Sequence, residues 1–190
     1  MRHLRIGIDI DGVIVDLVSL MLPLLSEACG RPVSHQDIVC FDIGRALNIE
    51  EKMADIWGQI YGGDMFRFAP PIKGAIAGLS ALSEHEVWLI TRRPISTQSD
   101  TVSWLHGNGI KYDRLIFDSS PEKHSVGEGF DAFVEDNLEQ ACGIAEAGVF
   151  TLLLDQPWNG AQTLPKQCTR VGDWKAIVLH IKKLARRQRG

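Results

Sequence analysis

An apolar run near the start of the chain is Ile6-Gly7-Ile8-Asp9-Ile10-Asp11-Gly12-Val13-Ile14-Val15-Asp16. The part from Leu4 to Ile10 is rich in branched residues and alternates poorly with polar ones, which is typical of a strand buried on both faces of a parallel sheet. Sheets of this kind bind ligands at the carboxyl ends of their strands. Asp9 and Asp11 lie at that end and would share one face of an extended backbone. An Asp-Gly turn needs only one aspartate, so the pair indicates a metal or catalytic site.

The composition is that of an ordinary soluble globular chain. It has 190 residues, of which 45% are hydrophobic and 23% charged, and a net charge of −4. This size suits one main domain with a small insert, and the charge gives no argument for nucleic-acid or membrane binding. A basic group near the end of the chain comprises Lys182, Lys183, Arg186, Arg187 and Arg189. It indicates a helix end whose dipole favours cations, so we expect no membrane or stable nucleic-acid partner and leave a homodimer open.

The cysteines and the apolar segments indicate a cellular location. Cys29, Cys40, Cys142 and Cys168 form no CxxC pair and have no histidines at zinc spacing, which predicts free thiols in a reducing compartment. The sequence has no signal-like apolar region at its start and no stretch approaching the ~20 apolar residues of a membrane span. We therefore expect a cytoplasmic protein.

Strand-like and helix-like patterns alternate along the chain. The strand-like runs are Leu4 to Asp9, Glu86 to Thr91, Leu115 to Asp118, Ala132 to Glu135 and Val149 to Leu154. Helical spacing of apolar residues occurs between most of them and again from Trp174 to Leu184. This alternation predicts an α/β fold, a doubly wound parallel sheet with right-handed crossovers.

The interval between the first two strands is far longer than a single crossover helix requires. Asp16 to Cys29 and Glu50 to Tyr61 have helical patterns, and Pro70-Pro71 marks the return to the sheet because proline cannot extend a helix interior. We predict a small helical cap over residues 17–70. Residues 1–16 and 71–190 would form the α/β core.

Groups suited to phosphate chemistry follow the later strands. Thr91-Arg92-Arg93 ends one strand, Lys123 follows in a loop, and Glu135-Asp136 ends another strand. Each could be explained singly by a turn, a helix cap or a solvated surface. In this order after Asp-x-Asp-Gly, they indicate one site that binds phosphate and metal.

These residues resemble the four ordered motifs of the haloacid dehalogenase (HAD) superfamily. The motifs correspond to Asp9-Ile10-Asp11-Gly12, Thr91, Lys123 and Glu135-Asp136, and the resemblance extends from Leu4 to about Leu154. It implies a Rossmann-like core, and the insert after the first motif resembles the cap type called C1. Within the superfamily the chain looks most like the 5′(3′)-deoxyribonucleotidases, through Asp-Gly-Val with Asp16, the helical cap and the Thr-Arg pair.

The resemblance implies a Mg²⁺-dependent phosphomonoester hydrolase. Asp9 would be the nucleophile, forming an aspartyl-phosphate, and Asp11 the general acid and base. Mg²⁺ would be held by Asp9, Asp136 and Asp11, the last through its backbone carbonyl, with Glu135 just outside the ligands. The residues implied to bind phosphate are Thr91, Arg92 and Lys123, although Arg93 could face the site in place of Arg92.

The substrate implied by the resemblance is a small phosphomonoester, foremost a (deoxy)nucleoside monophosphate. Aromatic rings in the cap could stack on a nucleobase, with Phe41, Trp57 and Tyr61 as the main candidates and Phe66 and Phe68 beside them. They could instead form the core of the cap. A sugar phosphate or another small metabolite, as substrate of a phosphatase or a phosphomutase, is the alternative, and a catalytically silent ligand-binding domain is a third interpretation.

Overall fold

A single parallel sheet organises the computed structural model, which describes residues 2–62, 64–118, 129–160 and 162–187. The six strands are β1 (Arg5–Asp9), β2 (Glu86–Thr91), β3 (Arg114–Phe117), β4 (Ala132–Glu135), β5 (Phe150–Leu154) and β6 (Cys168–Val171). Their order across the sheet is β3-β2-β1-β4-β5-β6, and every pairing is parallel. The predicted α/β doubly wound fold is confirmed.

Helices follow the strands and fill the long interval after β1. They are α1 (Leu17–Cys29), α2 (Ile43–Leu47), α3 (Met53–Gly62), α4 (Ala75–Ser80), α5 (Gln98–Gly107), α6 (Leu138–Glu146) and α7 (Trp174–Arg187). Short 3₁₀ turns cover His35–Asp37, Glu50–Lys52, Asp64–Phe68, Ile95–Thr97 and Pro157–Asn159. The first three helices lie between β1 and β2, where the sequence predicts the cap.

β1 lies at the centre of the sheet because it can be buried on both faces. Ile6 and Ile8 are fully buried, and β1 pairs with β2 on one side and β4 on the other. Between them Gly7 leaves room for the Phe133 ring of β4, since a Cβ on Gly7 would lie 2.3 Å from that ring. The strand order reverses between β1 and β4, so a ligand crevice is expected at their carboxyl ends.

Backbone hydrogen bonds join the two points at which the chain enters and leaves residues 17–70. The Asp16 N–H donates to the Pro70 carbonyl and the Ile72 N–H to the Ile14 carbonyl, each at 2.8 Å. These bonds lie where we propose the division between residues 17–70 and the core. On the core side, the Trp174 indole N–H of α7 donates to the Val13 carbonyl at 2.8 Å, which anchors the loop after β1.

Candidate active site

Three buried carboxylates meet at the carboxyl ends of β1 and β4. Asp9 ends β1, Glu135 ends β4 and Asp136 follows it, and an oxygen from each lies within 4.8 Å of the others. Their residues are 6%, 2% and 4% exposed. Clustered buried carboxylates favour a bound cation, and oxygen ligands are the kind that Mg²⁺ prefers. The residues present therefore fit the predicted ion.

The cluster differs in one respect from the metal site predicted from the sequence. Glu135 lies among the three carboxylates, whereas the resemblance implies a place just outside the ligands. The Asp11 side chain is not a member of this group in the described part of the chain. The roles of Glu135 and of the Asp11 backbone carbonyl at a metal ion stay predictions.

Gly12 allows Asp136 to approach the loop after β1. Its φ is +77°, a left-handed conformation that favours glycine. A Cβ at this position would lie 2.0 Å from Asp136 Oδ2. A side chain at residue 12 would therefore displace the Asp136 carboxylate.

The loop after β5 holds Asp136 and Gly12 in place. The Trp158 indole N–H donates to Asp136 Oδ2 at 2.8 Å, and the Asn159 amide donates to the Asp136 carbonyl at 2.9 Å. The Gln156 amide donates to the Gly12 carbonyl at 2.8 Å. Sequence reasoning did not select these residues, although a polar and aromatic group directly after a buried strand is a signal that could have found them.

Asp11 is held by Arg93. The Arg93 Nε donates to Asp11 Oδ2 at 2.7 Å, and Nη2 donates to Asp11 Oδ1 at 2.5 Å. The Arg93 side chain is 1% exposed, whereas Arg92 is exposed at the rim of the cavity. Of the two arginines that the sequence left open, Arg93 is the buried one. A phosphate contact from Arg92 stays a prediction.

Thr91 and Lys123 complete the predicted phosphate-binding set. Thr91 is the last residue of β2, is 1% exposed, and accepts a hydrogen bond at Oγ1 from the Arg93 backbone N–H at 3.2 Å. It lines the same cavity as Asp9. Lys123 lies outside the described residues, so its role stays a prediction.

Asp16, the third aspartate of the opening motif, caps a helix. Its carboxylate accepts from the Ser19 N–H at 2.9 Å and the Ser19 hydroxyl at 2.7 Å, and His35 Nε2 lies 3.1 Å away. Burial raises the pKa of Asp16, but the hydrogen bonds from Ser19 and His35 outweigh burial and hold the pKa below its usual value. This carboxylate stabilises the start of α1.

A cavity of about 380 Å³ is lined by the three carboxylates and by side chains from residues 17–70. The predicted rings Phe41, Trp57 and Tyr61 all line it. Trp57 and Tyr61 stack with ring centres 5.4 Å apart and planes 8° apart. Burial, followed by the negative charge of Asp11, raises the pKa of Tyr61 well above its ordinary value, so its hydroxyl stays protonated.

The other two aromatic candidates lie elsewhere. Phe66 is buried, packs against Trp104 and supports the Arg93 guanidinium, whose carbon is 3.7 Å from the centre of the ring. Phe68 is 73% exposed and does not line the cavity. Phe66 is therefore a core residue, as the alternative interpretation of the cap rings allowed.

A known protein family matches nearly the whole chain. Residues 2–188 match the family described as 5′ nucleotidase, deoxy (pyrimidine), cytosolic type C protein (NT5C). The chain belongs to this family. The predicted membership of the HAD superfamily, and a phosphatase-type enzyme of the nucleotidase kind, are confirmed.

Relatives of this nucleotidase-family chain match over most of their length. A protein of Halalkalibacterium halodurans named "Putative nucleotidase" is 26% identical over 177 residues, 91% of this chain and 90% of the relative. A nucleotidase of Clostridium acetobutylicum is 25% identical over 182 residues, 93% of each chain.

Solved structures confirm the fold of this nucleotidase-family chain. A HAD-like hydrolase from Streptococcus pneumoniae has a TM-score of 0.65 and 14% identity, covering 94% of this chain and 98% of that one. At this identity the likeness shows the fold alone.

No helix within the described residues is both long and apolar enough to cross a bilayer.

Proposed function

We propose that this enzyme is a Mg²⁺-dependent phosphomonoesterase that acts on (deoxy)nucleoside monophosphates through an aspartyl-phosphate on Asp9. The observation that carries the proposal is the group of three buried carboxylates, Asp9, Glu135 and Asp136. They line the same cavity as the aromatic side chains of the predicted cap. Acidic groups without a cation would repel an anionic phosphate. Together with a bound cation they become a phosphate-binding site.

Asp9 and Asp11 divide the chemistry between them. An Asp9 oxygen forms a bond to phosphorus while the bond to the ester oxygen breaks, and Asp11 gives that leaving oxygen a proton. Asp11 then takes a proton from the water that attacks phosphorus, which frees inorganic phosphate and restores Asp9. Monoester hydrolysis is extremely slow without a catalyst, and the covalent intermediate splits it into two easier steps.

The remaining residues bind the phosphate and the ion. Asp9, Asp136 and the Asp11 backbone carbonyl would hold Mg²⁺, with Glu135 beside them. When bound, the ion offsets the repulsion between the Asp9 carboxylate and the phosphate, which for unit charges at 4 Å is about 4 kcal/mol at an effective dielectric constant of 20. Thr91, Arg92 and Lys123 would donate hydrogen bonds to the phosphate oxygens.

The cap supports a nucleotide over a sugar phosphate. Phe41, Trp57 and Tyr61 all face the cavity rather than only one another, and a nucleobase gains more from flat aromatic surfaces than a sugar does. Leu17, Val18 and Met21 add an apolar wall on the same side. The names of the two relatives agree with this substrate class.

We further propose that the enzyme works in a reducing compartment, the cytoplasm. The four cysteines Cys29, Cys40, Cys142 and Cys168 are all free. Burial raises the pKa of the Cys168 thiol to about 11 and also raises that of Cys142. Such thiols are poorly reactive and suit a core rather than a redox site.

The test is phosphate release from a panel of deoxynucleotides, ribonucleotides, sugar phosphates and an aryl phosphate, with Mg²⁺ and with a chelator. We expect turnover concentrated on nucleotides and lost on chelation. Asp55→Asn, which changes an exposed aspartate on α3, is the matched control for substitutions at the site and should retain activity. Preferential turnover of sugar phosphates would overturn the substrate class, and no turnover of any ester would indicate the silent binding domain.

A further inference from the structure

The Asp11 carboxylate is restrained more tightly than a surface ion pair would be. Arg93 donates to both of its oxygens, at 2.7 and 2.5 Å, in the two-pronged geometry that fixes a carboxylate plane as well as its position. The Arg93 side chain is 1% exposed and that of Asp11 is 24% exposed. Asp11 and Arg93 both line the cavity.

Arg93 is in turn fixed by residues from three separate segments. Its Nη1 donates to the Thr101 hydroxyl of α5 at 3.0 Å, and its backbone N–H donates to Thr91 Oγ1 at the end of β2. Its guanidinium carbon lies 3.7 Å from the centre of the Phe66 ring, which comes from the 3₁₀ turn that follows α3. Thr101 is fully buried and Phe66 is 3% exposed. The guanidinium therefore has little freedom to turn.

We propose that Arg93 is a positioning residue that holds Asp11 at the leaving oxygen of the substrate, with Phe66 and Thr101 as its supports. This inference rests on the proposed function, in which Asp11 protonates that oxygen. When the phosphorus–oxygen bond breaks, the proton moves from Asp11 to the leaving oxygen and the carboxylate that remains is paired with Arg93. A displaced Asp11 would lose this transfer, because proton transfer requires hydrogen-bond distance.

Two kinds of ester distinguish positioning from a general structural role. A nucleoside leaves as a basic alkoxide and needs the proton from Asp11. A nitrophenyl phosphate leaves as a stabilised phenolate and needs it far less. Loss of Arg93 should thus slow formation of the aspartyl-phosphate from the nucleotide much more than from the aryl ester, whereas a damaged fold would slow both equally. Hydrolysis of the aspartyl-phosphate, in which Asp11 acts as base, is the same for both esters, so the two esters are compared at the first step.

The experiment compares the single-turnover rate of leaving-group release, and the steady-state KM, on a deoxynucleoside monophosphate and on p-nitrophenyl phosphate. We expect Arg93→Gln to lower the single-turnover rate on the nucleotide about 100-fold and on the aryl ester less than about fivefold, because general acid catalysis contributes about 10²- to 10⁴-fold. KM should change little on either ester. Arg93→Lys keeps the charge without the planar fork, and we expect a loss of about tenfold that remains selective for the nucleotide.

Further variants separate folding from catalysis. Thr101→Val preserves shape and removes only the acceptor for Arg93 Nη1, so it tests the support even if Arg93→Gln fails to fold. Arg114→Gln is the matched control, since Arg114 is an exposed arginine stacked on Trp88 at the opposite end of the sheet. Asp11→Asn should show the same ester selectivity, and combining it with Arg93→Gln should add little further loss.

The possible outcomes are separable. Equal losses of the single-turnover rate on both esters in folded Arg93 variants would overturn the inference and leave the proposed function standing. A raised KM with an unchanged single-turnover rate would also overturn it, because Arg93 would then bind substrate rather than position Asp11. A wild-type enzyme that hydrolyses neither ester would overturn the proposed function and this inference together.

Discussion

Asp136 is oriented by neighbouring residues to which we assign no part in the reaction. Its carboxylate accepts a hydrogen bond from the Trp158 indole N–H at 2.8 Å, and its backbone carbonyl accepts one from the Asn159 amide at 2.9 Å. Gly12 has no side chain and so leaves space for the Asp136 carboxylate. Groups that orient a metal-binding carboxylate typically change metal affinity when they are removed. Trp158 is the side chain at which this can be tested most simply.

We expect Trp158→Phe to weaken Mg²⁺ binding about tenfold. Phenylalanine keeps much of the ring but cannot donate to Asp136, so the carboxylate is less firmly oriented. Isothermal titration with Mg²⁺ in the absence of substrate measures the change directly. Trp88→Phe is the matched control, because the Trp88 indole donates to Glu86 at 2.8 Å near the start of β2. Equal Mg²⁺ affinities in wild type and Trp158→Phe would contradict the orienting role.

At the scale of elements, α1 begins directly after the loop that follows β1, and Asp16 caps its first turn. Asp16 accepts two hydrogen bonds from Ser19, and its own N–H donates to Pro70 at the return crossing. Asp16→Ala removes the side-chain cap and the contact with His35 but keeps the backbone hydrogen bond to Pro70, so we expect a loss of about 1 kcal/mol or more in the free energy of unfolding. Denaturant titration measures it. Asp42→Ala, which removes the exposed cap of the short helix α2, should cost less, and an equal or greater cost would contradict a special role for α1.

The elements that the sequence predicted well are those whose signal is local. β2 and β4 agree with the predicted runs, Glu86 to Thr91 and Ala132 to Glu135, because buried parallel strands are continuous apolar segments. β6 was missed because an edge strand is short and only partly buried, and Arg170 interrupts its pattern. α2, with five residues, is too short for helical periodicity to be detected.

The sequence predicted the motif residues of the candidate site but not the side chains that hold them in place. Asp9 and Thr91 are the last residues of their strands, and Asp11 and Asp136 come within two residues after theirs, so their convergence at the carboxyl edge of the sheet follows from topology. Arg93 donates a hydrogen bond to Asp11, 82 residues earlier in the chain, and Trp158 donates one to Asp136, 22 residues earlier. No local sequence pattern encodes these pairs. The choice between Arg92 and Arg93 depended on which side chain could be buried over Phe66, which is a matter of tertiary packing.

At the scale of the whole molecule, stability should depend on pH through a buried histidine remote from the site. Burial and then the neighbouring His3 lower the pKa of His85, Lys182 acts in the same direction, and Glu84 opposes them. The unfolded chain binds a proton at His85 near its ordinary pKa of about 6.5, where the folded chain does not. As the pH falls below about 6.5, the unfolded chain binds more protons than the folded chain, and the free energy of unfolding decreases.

The measurement is the free energy of unfolding between about pH 7.5 and pH 5, in wild type and in His85→Gln. Carboxylates contribute to both curves, so the slopes are compared rather than the values. We expect the wild type to lose more stability than His85→Gln across this window. His106→Gln, at an exposed position of α5, should follow the wild type, and parallel curves for wild type and His85→Gln would contradict the assignment.

Asp9, in the mechanism we propose, forms a covalent phosphoenzyme in a Mg²⁺-dependent hydrolase. The most direct test is acid quenching of the enzyme during turnover of a deoxynucleoside monophosphate, followed by mass spectrometry of the peptide that contains Asp9. We predict one added phosphoryl group on Asp9 with Mg²⁺ present, none after chelation, and no phosphate release from Asp9→Asn. Normal phosphate release by Asp9→Asn, or a phosphoryl group on a different residue, would contradict the account.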